Sequence, residues 1–235
     1  MINRLSQATL LKGVRFLAAR DQDLAAIAST YGPPPLWERE VGFHTLVHII
    51  LEQQVSLASA QAAYDRLEQA VNPLAPRGFL RLTDEELKAI GFSRQKTKYG
   101  RELSIAIIEG SLDIPGLEKL SDEEAKVQLM RVKGIGAWTA NIYLLMALGR
   151  PDIWPDGDLA LEVAVQRIKG WTKRPTAEEL RIMSTEWQPW RAVAARLLWH
   201  FYLSEGNKAA SRPALHQNRF PGSDDNELTE IRDND

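Results

Sequence analysis

Residues 132–162, VKGIGAWTANIYLLMALGRPDIWPDGDLALE, combine a glycine pair, a tryptophan and one carboxylate that follows a further glycine. Gly134 and Gly136 have no side chains that could screen the first backbone amides of the helix predicted after them. Amides at the start of a helix attract anions, and phosphate oxygens suit such a site. Lys133 adds a positive charge beside the turn, and Thr139 adds a hydroxyl donor. The segment therefore predicts an anion-binding turn near an aromatic ring and an acid.

The acid itself has two interpretations. An ionised Asp158 could stabilise positive charge that develops on a substrate and could orient or deprotonate water. It could equally be the N-cap of the helix predicted in LALEVAVQRIKG, with Gly157 permitting the turn. Glu162, one helical turn later, and Asp156, two residues earlier, are alternative acids.

The composition excludes several kinds of chemistry. The chain of 235 residues has no cysteine, which rules out disulfides, thiolate zinc sites, cysteine nucleophiles and cysteine-bound iron–sulfur clusters. His44, His48 and His216 lack the spacing of metal ligands. Any catalysis must therefore use oxygen, nitrogen or carbon groups.

The charge is unevenly distributed. The net charge is −2, but residues 222–235 carry six acids against Arg232, and the rest of the chain has 28 basic and 25 acidic residues. We expect the acidic tail to be disordered and the remaining body, at +3, to be mildly basic. Such a body is compatible with DNA binding, and equally with a neutral enzyme that has a solvated tail.

The sequence predicts no membrane partner. Lys12 and Arg15 interrupt the apolar N-terminal segment at helical spacing, unlike a signal peptide. No other segment is long and apolar enough to span a bilayer. A cytoplasmic, nucleoid-associated location and a monomeric state are expected.

Apolar residues recur at three- and four-residue intervals almost throughout, which predicts an all-α fold of about ten helices. Three capping boxes indicate helix starts, each an oxygen side chain followed by glutamate three residues later: Thr83 with Glu86, Ser121 with Glu124, and Thr176 with Glu179. An apolar helix within residues 42–71 ends in the polar run Glu52, Gln53 and Gln54. This run either faces a ligand or satisfies helix-end backbone groups.

The motif L-x-x-V-K-G-I-G-x-W-T-A, at residues 129–140, resembles the helix-hairpin-helix signature of the DNA glycosylase superfamily. Pro155, Gly157 and Asp158 match the Gly/Pro-rich loop ending in aspartate that follows in that family. The resemblance covers about residues 40–205 and is greatest to the 3-methyladenine DNA glycosylase II (AlkA-like) branch. Only two helices fit before residue 40, so the expected form is the compact one without an N-terminal β domain.

The resemblance implies a fold of two helical lobes with Asp158 in the cleft between them. Residues 1–54 and 151–221 would form a discontinuous lobe, and residues 55–150 would form a central lobe carrying the hairpin. Backbone amides of Gly134, Gly136 and Ala137 would then bind DNA phosphates. A sodium or potassium ion bound by the carbonyls of Met130, Val132 and Ile135 is also implied, with no other cofactor required.

The resemblance further implies a base pocket and a wedge. Members that cleave the strand have a lysine where this chain has Trp138, so the enzyme should lack AP-lyase activity. An indole face attracts a cationic base. Gln54 aligns with the residue that fills the space left by a flipped base. The implied pocket residues are Trp138, Trp199, Trp37, Ile142, Leu159 and His200.

The sequence therefore predicts a monofunctional DNA glycosylase of base excision repair. It would release alkylated purines, chiefly 3-methyladenine with 7-methylguanine as a second candidate, from double-stranded DNA after base flipping. An alkylated purine is already cationic and leaves without an acid, so one carboxylate suffices where other glycosidases need two. The alternatives are a glycosylase for hypoxanthine or uracil, a non-catalytic helix-hairpin-helix DNA-binding module, and a helical protein-interaction domain.

Overall fold

The computed structural model describes residues 4–211, with side chains to residue 206, and within that range the secondary structure is helical. The all-α prediction is confirmed, with twelve α-helices in place of about ten. The predicted acidic tail, residues 222–235, and His216 lie outside the described residues. In chain order the helices are α1 (Gln7–Ala18), α2 (Gln22–Tyr31), α3 (Phe43–Glu52), α4 (Leu57–Ala70), α5 (Pro76–Phe79), α6 (Asp84–Ile90), α7 (Arg94–Ile108), α8 (Asp122–Met130), α9 (Ala137–Met146), α10 (Leu159–Ile168), α11 (Ala177–Met183) and α12 (Arg191–Ser211), with 3-10 helices at Pro115–Lys119 and Ser184–Trp187.

Local hydrogen bonds explain where these helices begin. The three predicted capping boxes all form, at the starts of α6, α8 and α11. In each of them the cap hydroxyl accepts a hydrogen bond from the backbone N–H of the glutamate, and the glutamate carboxylate accepts one from the backbone N–H of the cap residue. A fourth box, Ser6 with Thr9, starts α1 and escaped prediction because threonine takes the place of glutamate.

The helices pack in two groups around one continuous set of buried apolar residues. Helices α1, α2 and α10 contact α12, while α3 contacts α4, α7 and α9. Helix α3, which lies before the boundary predicted at residue 54, packs against helices assigned to the central lobe, and the boundary itself stays a prediction. Six of the ten residues of α3 are apolar and buried, so this helix packs against neighbours on several sides.

A buried arginine joins the two groups. The Arg196 side chain, on α12, is 1% exposed. It donates to the carbonyl oxygens of Leu36 (2.8 Å), Leu145 (2.9 Å) and Ala192 (3.1 Å). These acceptors lie on the loop after α2, on α9 and on α12, so one guanidinium fixes three elements.

Within residues 4–211, none of the helices combines the length and the apolar character needed to cross a bilayer.

Candidate active site

Asp158 lies at the N-cap of α10 between two tryptophans. Its Oδ2 accepts the Trp138 indole N–H at 3.0 Å, and its Oδ1 accepts the Trp199 indole N–H at 3.1 Å. The Leu161 backbone amide also donates to Oδ1, at 3.1 Å. All three donors stabilise negative charge on the carboxylate, and the helix dipole adds to their effect. Asp158 is therefore a helix cap and also a candidate catalytic anion.

The two indoles belong to different groups of helices. Trp138 is on α9, which packs with α3 and α8, whereas Trp199 is on α12, which packs with α1, α2 and α10. Asp158 is thus bonded to a side chain from each of the two helix groups.

An aromatic cluster extends from Trp199. The Trp37 ring lies edge-on to Trp199 and to His200, with centroids 6.5 and 6.4 Å apart. The His200 Nε2 is 3.0 Å from the carbonyl oxygen of Tyr31, so it must carry the hydrogen and donate. Trp37 has φ 46°, a strained value for a non-glycine residue. The structure therefore brings Trp138 and Trp199 onto Asp158, and it clusters Trp37 with Trp199 and His200.

The two aliphatic pocket residues differ in exposure. Leu159 is 57% exposed and directly follows Asp158. Ile142 is only 3% exposed, and its place in the pocket stays a prediction. Ile142 faces the core because α9 is apolar around most of its circumference.

The hairpin has the predicted form. Residues 131–136 join α8 to α9, and Gly136 is the N-cap of α9 without a side chain to occupy the first amides. A Cβ at Gly136 would meet no atom within 4 Å, and Lys133 is exposed. Ala137, the first residue of α9, is partly exposed. The turn can therefore receive an anion at its surface.

Gly134 also has a packing role that was not predicted. Its φ is +100°, and a Cβ there would overlap the Tyr99 ring of α7. The residue is therefore needed for the turn conformation and for close packing on Tyr99, and the phosphate contact of its amide stays a prediction. Nothing in the sequence pointed to Tyr99, which lies 35 residues earlier.

Thr139 needs correction. It is 2% exposed, and its hydroxyl accepts a hydrogen bond from Gln53 Nε2 at 2.9 Å, so it faces the interior and cannot reach a phosphate. Gln53 Nε2 donates in addition to the carbonyl oxygen of Gly134 at 3.0 Å. The polar run at the end of α3 thus includes a bond to the hairpin that sequence reasoning missed, because the acceptors are 81 and 86 residues away.

Gln54, the predicted wedge, is exposed and has φ 57°. This is the second non-glycine residue with a left-handed backbone among the described residues. Its neighbours Val55 and Leu57 are 44% and 60% exposed. The loop between α3 and α4 therefore presents an amide flanked by apolar side chains.

The alternative acids have other surroundings. Glu162 forms an ion pair with Arg174 at 3.1 Å. Asp156 has one buried carboxylate oxygen without a hydrogen-bond partner in the described part of the chain. The indole N–H groups of Trp138 and Trp199 bond to Asp158 and to neither of these acids. Asp158 is therefore the carboxylate of the three that the aromatic side chains hold in place.

The predicted cation ligands lie on the hairpin. Met130 is 44% exposed, and the Val132 carbonyl already accepts the Ile135 amide at 3.0 Å, which leaves that oxygen one further lone pair. Neutral carbonyl oxygens suit a hard monovalent cation. Among the described residues no group of histidine and carboxylate side chains could hold a metal ion.

Comparisons with known proteins give one family. The description "HhH-GPD superfamily base excision DNA repair protein" matches residues 47–189. The YfjP protein of Bacillus subtilis strain 168, whose name proposes a DNA-3-methyladenine glycosylase, is 28% identical over 184 residues. Those residues are 75% of this chain and 64% of YfjP, so the chain spans less than two thirds of that relative.

Two solved structures have the same architecture. The 3-methyladenine DNA glycosylase of Schizosaccharomyces pombe in complex with abasic DNA has a TM-score of 0.75 and 27% identity, covering 80% of this chain and 95% of that one. The DNA-3-methyladenine glycosidase of Bacillus halodurans has a TM-score of 0.68 and 30% identity, covering 83% and 91%.

Proposed function

Because this chain belongs to the HhH-GPD superfamily of base excision DNA repair proteins, we propose that it is a monofunctional DNA glycosylase for alkylated purines in duplex DNA, chiefly 3-methyladenine. The observation that carries the proposal is Asp158, held by two indole N–H groups and a helix N-terminus. The relatives named 3-methyladenine glycosylases support the substrate class.

The chemistry follows from the charge of the substrate. A purine methylated at N3 or N7 is a cation, so breaking its bond to C1′ sends the electron pair to the base, which leaves neutral. The sugar becomes electron-poor, and the Asp158 carboxylate stabilises that charge. Water then bonds to C1′, and Asp158 takes or directs its proton.

The hydrogen bonds around Asp158 disfavour hypoxanthine and uracil. Hypoxanthine and uracil carry no charge in DNA, so without an acid or several hydrogen-bond donors they would have to leave as anions. Both indole N–H groups are engaged by Asp158, and the His200 Nε2–H is engaged by Tyr31. The described aromatic cluster thus offers stacking faces in place of free donors, which favours a flat cation.

The product should be an abasic site in an intact strand. Strand cleavage by this family of reactions needs an amine that attacks C1′, and Trp138 occupies the position after the hairpin where such an amine would lie. In the proposal, the hairpin amides and Lys133 bind the flanking phosphates. A sodium or potassium ion bound by Met130, Val132 and Ile135 carbonyls would add positive charge there.

The test is Asp158→Asn, with Asp21→Asn as the matched control. Asp21 also caps a helix, accepting the amides of Asp23 and Leu24, and it also accepts an indole N–H, from Trp187 at 2.9 Å. Asparagine caps helices nearly as well as aspartate, so both variants should fold. Removing the charge at residue 158 should lower base release about 100-fold to 10,000-fold.

The measurement is free base released from methylated duplex DNA, together with duplexes that contain hypoxanthine or uracil. Asp21→Asn should keep wild-type release, and the DNA product should break only after hot alkali. Full activity of a folded Asp158→Asn variant would refute the catalytic assignment. DNA binding without base release by the wild-type protein would favour the non-catalytic module.

A further inference from the structure

Gln53 connects two parts of the proposed DNA-binding surface. Its Nε2 donates to the Gly134 carbonyl in the hairpin at 3.0 Å and to the Thr139 hydroxyl in the first turn of α9 at 2.9 Å. Both hydrogens of the side-chain amide are therefore used. Gln53 is partly buried, and Thr139 is almost fully buried, so these bonds are shielded from competing water.

The neighbouring residue is the strained one. Gln54 is exposed with φ 57°, a conformation that persists only where the surrounding structure fixes it. Residues 53–56, which we name the wedge loop, begin at the end of α3. Lys96 of α7 donates to the Leu51 carbonyl at 2.7 Å just before the loop. The start of the loop is thus anchored twice, by Lys96 at Leu51 and by the Gln53 side chain.

Tyr99 links the hairpin to α7 as well, because its ring packs against Gly134. It packs where a Gly134 side chain would be, and it lies on the same helix as Lys96. Helix α7 therefore supports both the end of α3 and the hairpin, while Gln53 bonds them directly to each other. The wedge loop and the hairpin are therefore bonded to each other and supported by the same helix.

We propose that Gln53 is a positioning residue that couples insertion of Gln54 into the DNA stack to the binding of phosphate by the hairpin. The inference rests on the proposed function, because it takes Gln54 as the wedge. When the hairpin binds a phosphate, the Gly134 and Thr139 bonds fix the distance from that phosphate to Gln54. Without them the hairpin still binds DNA, but Gln54 is no longer aligned with the base step, and such misalignment is costly.

The experiment compares Gln53→Met with Gln69→Met. Methionine is close to glutamine in length and has no donor, and Gln69 is an exposed residue of α4 far along the helix from the wedge loop. The probe is duplex DNA with a tetrahydrofuran abasic analogue beside 2-aminopurine, whose fluorescence rises when a wedge unstacks it. This readout needs neither a damaged base nor hydrolysis.

We expect Gln53→Met to reduce the 2-aminopurine response about tenfold, the effect of losing about 1.4 kcal/mol of coupling. The salt dependence of DNA affinity should stay as in the wild type, since it counts phosphate contacts. Gln69→Met should match the wild type in both. A folded Gln53→Met with a full fluorescence response, or a wild-type protein with none, would overturn the proposal.

A second pair of variants tests the other end of the bond. Thr139→Val removes the acceptor with little change of shape, and Thr139→Ser keeps it. Thr139→Val should lower the 2-aminopurine response several-fold, and Thr139→Ser should keep the wild-type response. The melting temperature of each variant shows whether it is folded. Equal responses of Val and Ser would also overturn the proposal, including where Gln53→Met fails to fold. A wild type that unstacks the probe but releases no base would refute the proposed function alone.

Discussion

At the residue scale, Asp158 and Asp21 carry the same kinds of hydrogen bond in different surroundings. Each caps a helix, accepts a backbone amide and accepts an indole N–H. A capping aspartate bonded to tryptophan is therefore not by itself a catalytic feature. Asp158 differs in having a second indole, Trp138, and an exposed neighbour, Leu159.

The two indole bonds should contribute to catalysis. Trp138→Phe keeps an aromatic ring but removes the donor to Oδ2 of Asp158. A hydrogen bond to a charged group contributes about 1.5–3 kcal/mol, so single-turnover base release should fall at least about tenfold. The measurement is the single-turnover rate at saturating enzyme.

Trp171→Phe is the matched control, because Trp171 is 42% exposed and bonds to no part of Asp158 among the described contacts. It should keep the wild-type rate. Trp138→Phe with an unchanged rate would mean that the ring alone matters and that the carboxylate does not need this donor.

At the element scale, the two hairpin glycines should respond differently to alanine. A methyl group at Gly136 meets open space, so Gly136→Ala should fold normally, but it would crowd an approaching phosphate and lower DNA affinity about tenfold, or about 1.4 kcal/mol. Gly134→Ala, at φ +100° against Tyr99, should lose about 1–3 kcal/mol of folding stability. Thermal unfolding and DNA titration separate the two effects.

Gly206→Ala is the control for the hairpin variants. Gly206 lies on α12, outside the hairpin, and a Cβ there also meets no atom within 4 Å. Its DNA affinity should equal that of the wild type. If Gly136→Ala binds DNA equally well, phosphate does not approach this turn.

The contact of α3 with α4 should depend on pH. His48 stacks on Tyr64 with ring centroids 4.2 Å apart, and burial lowers the pKa of His48 despite the nearby Glu52. A lowered pKa in the folded state means that the unfolded chain binds the proton more readily. This contribution to stability is complete above pH 6.5 and is lost as the pH falls from there through the folded-state pKa.

We therefore expect the melting temperature to fall between pH 7.5 and pH 5, and His48→Gln to make that decline shallower. Each unit of difference between the folded and unfolded pKa is equivalent to about 1.4 kcal/mol. His44→Gln is the matched control for loss of an imidazole from the same helix. An identical decline in His48→Gln would show that other groups cause the pH dependence.

At the scale of the whole molecule, Arg196 should dominate the stability of the joined helix groups. Burial lowers its pKa to about 10, so it remains charged at neutral pH while bonded to three backbone carbonyls. Arg196→Met would leave the Leu36 and Leu145 carbonyls without this donor, at a cost of about 1–3 kcal/mol for each.

At about 2–4 °C for each kcal/mol, the melting temperature should drop by roughly 10 °C. Arg181→Met, at an exposed site, should change it by no more than about 2 °C. Base release should also fall in Arg196→Met. Arg196 holds the Leu36 carbonyl, and Leu36 directly precedes Trp37, a predicted residue of the base pocket. If the melting temperature of Arg196→Met falls by only a few degrees, the contact between the two helix groups does not depend mainly on Arg196.

Sequence patterns gave good predictions where the controlling interactions are local. Capping boxes act over three residues, and the helical period acts within one element, so both predicted the helices from residue order alone. The hairpin and Asp158 were identified by motif, and the geometry around Asp158 is consistent with its assignment. Thr139 was misjudged because its exposure depends on which face of α9 is buried, whereas the boundary at residue 54 and the pocket role of Ile142 stay predictions.

By itself, then, the sequence determined the all-helical fold, the helix starts, the glycine turn and the family, because short-range hydrogen bonding and periodicity fix them. The tertiary structure decided which groups meet: two indoles from separate helices on Asp158, Gln53 on the hairpin, Tyr99 beneath Gly134, and Arg196 among three carbonyls. Apart from the bond of Arg196 to Ala192, these contacts join residues that are 20 to 160 positions apart. Their choice depends on the packing of the whole core, which no local pattern encodes.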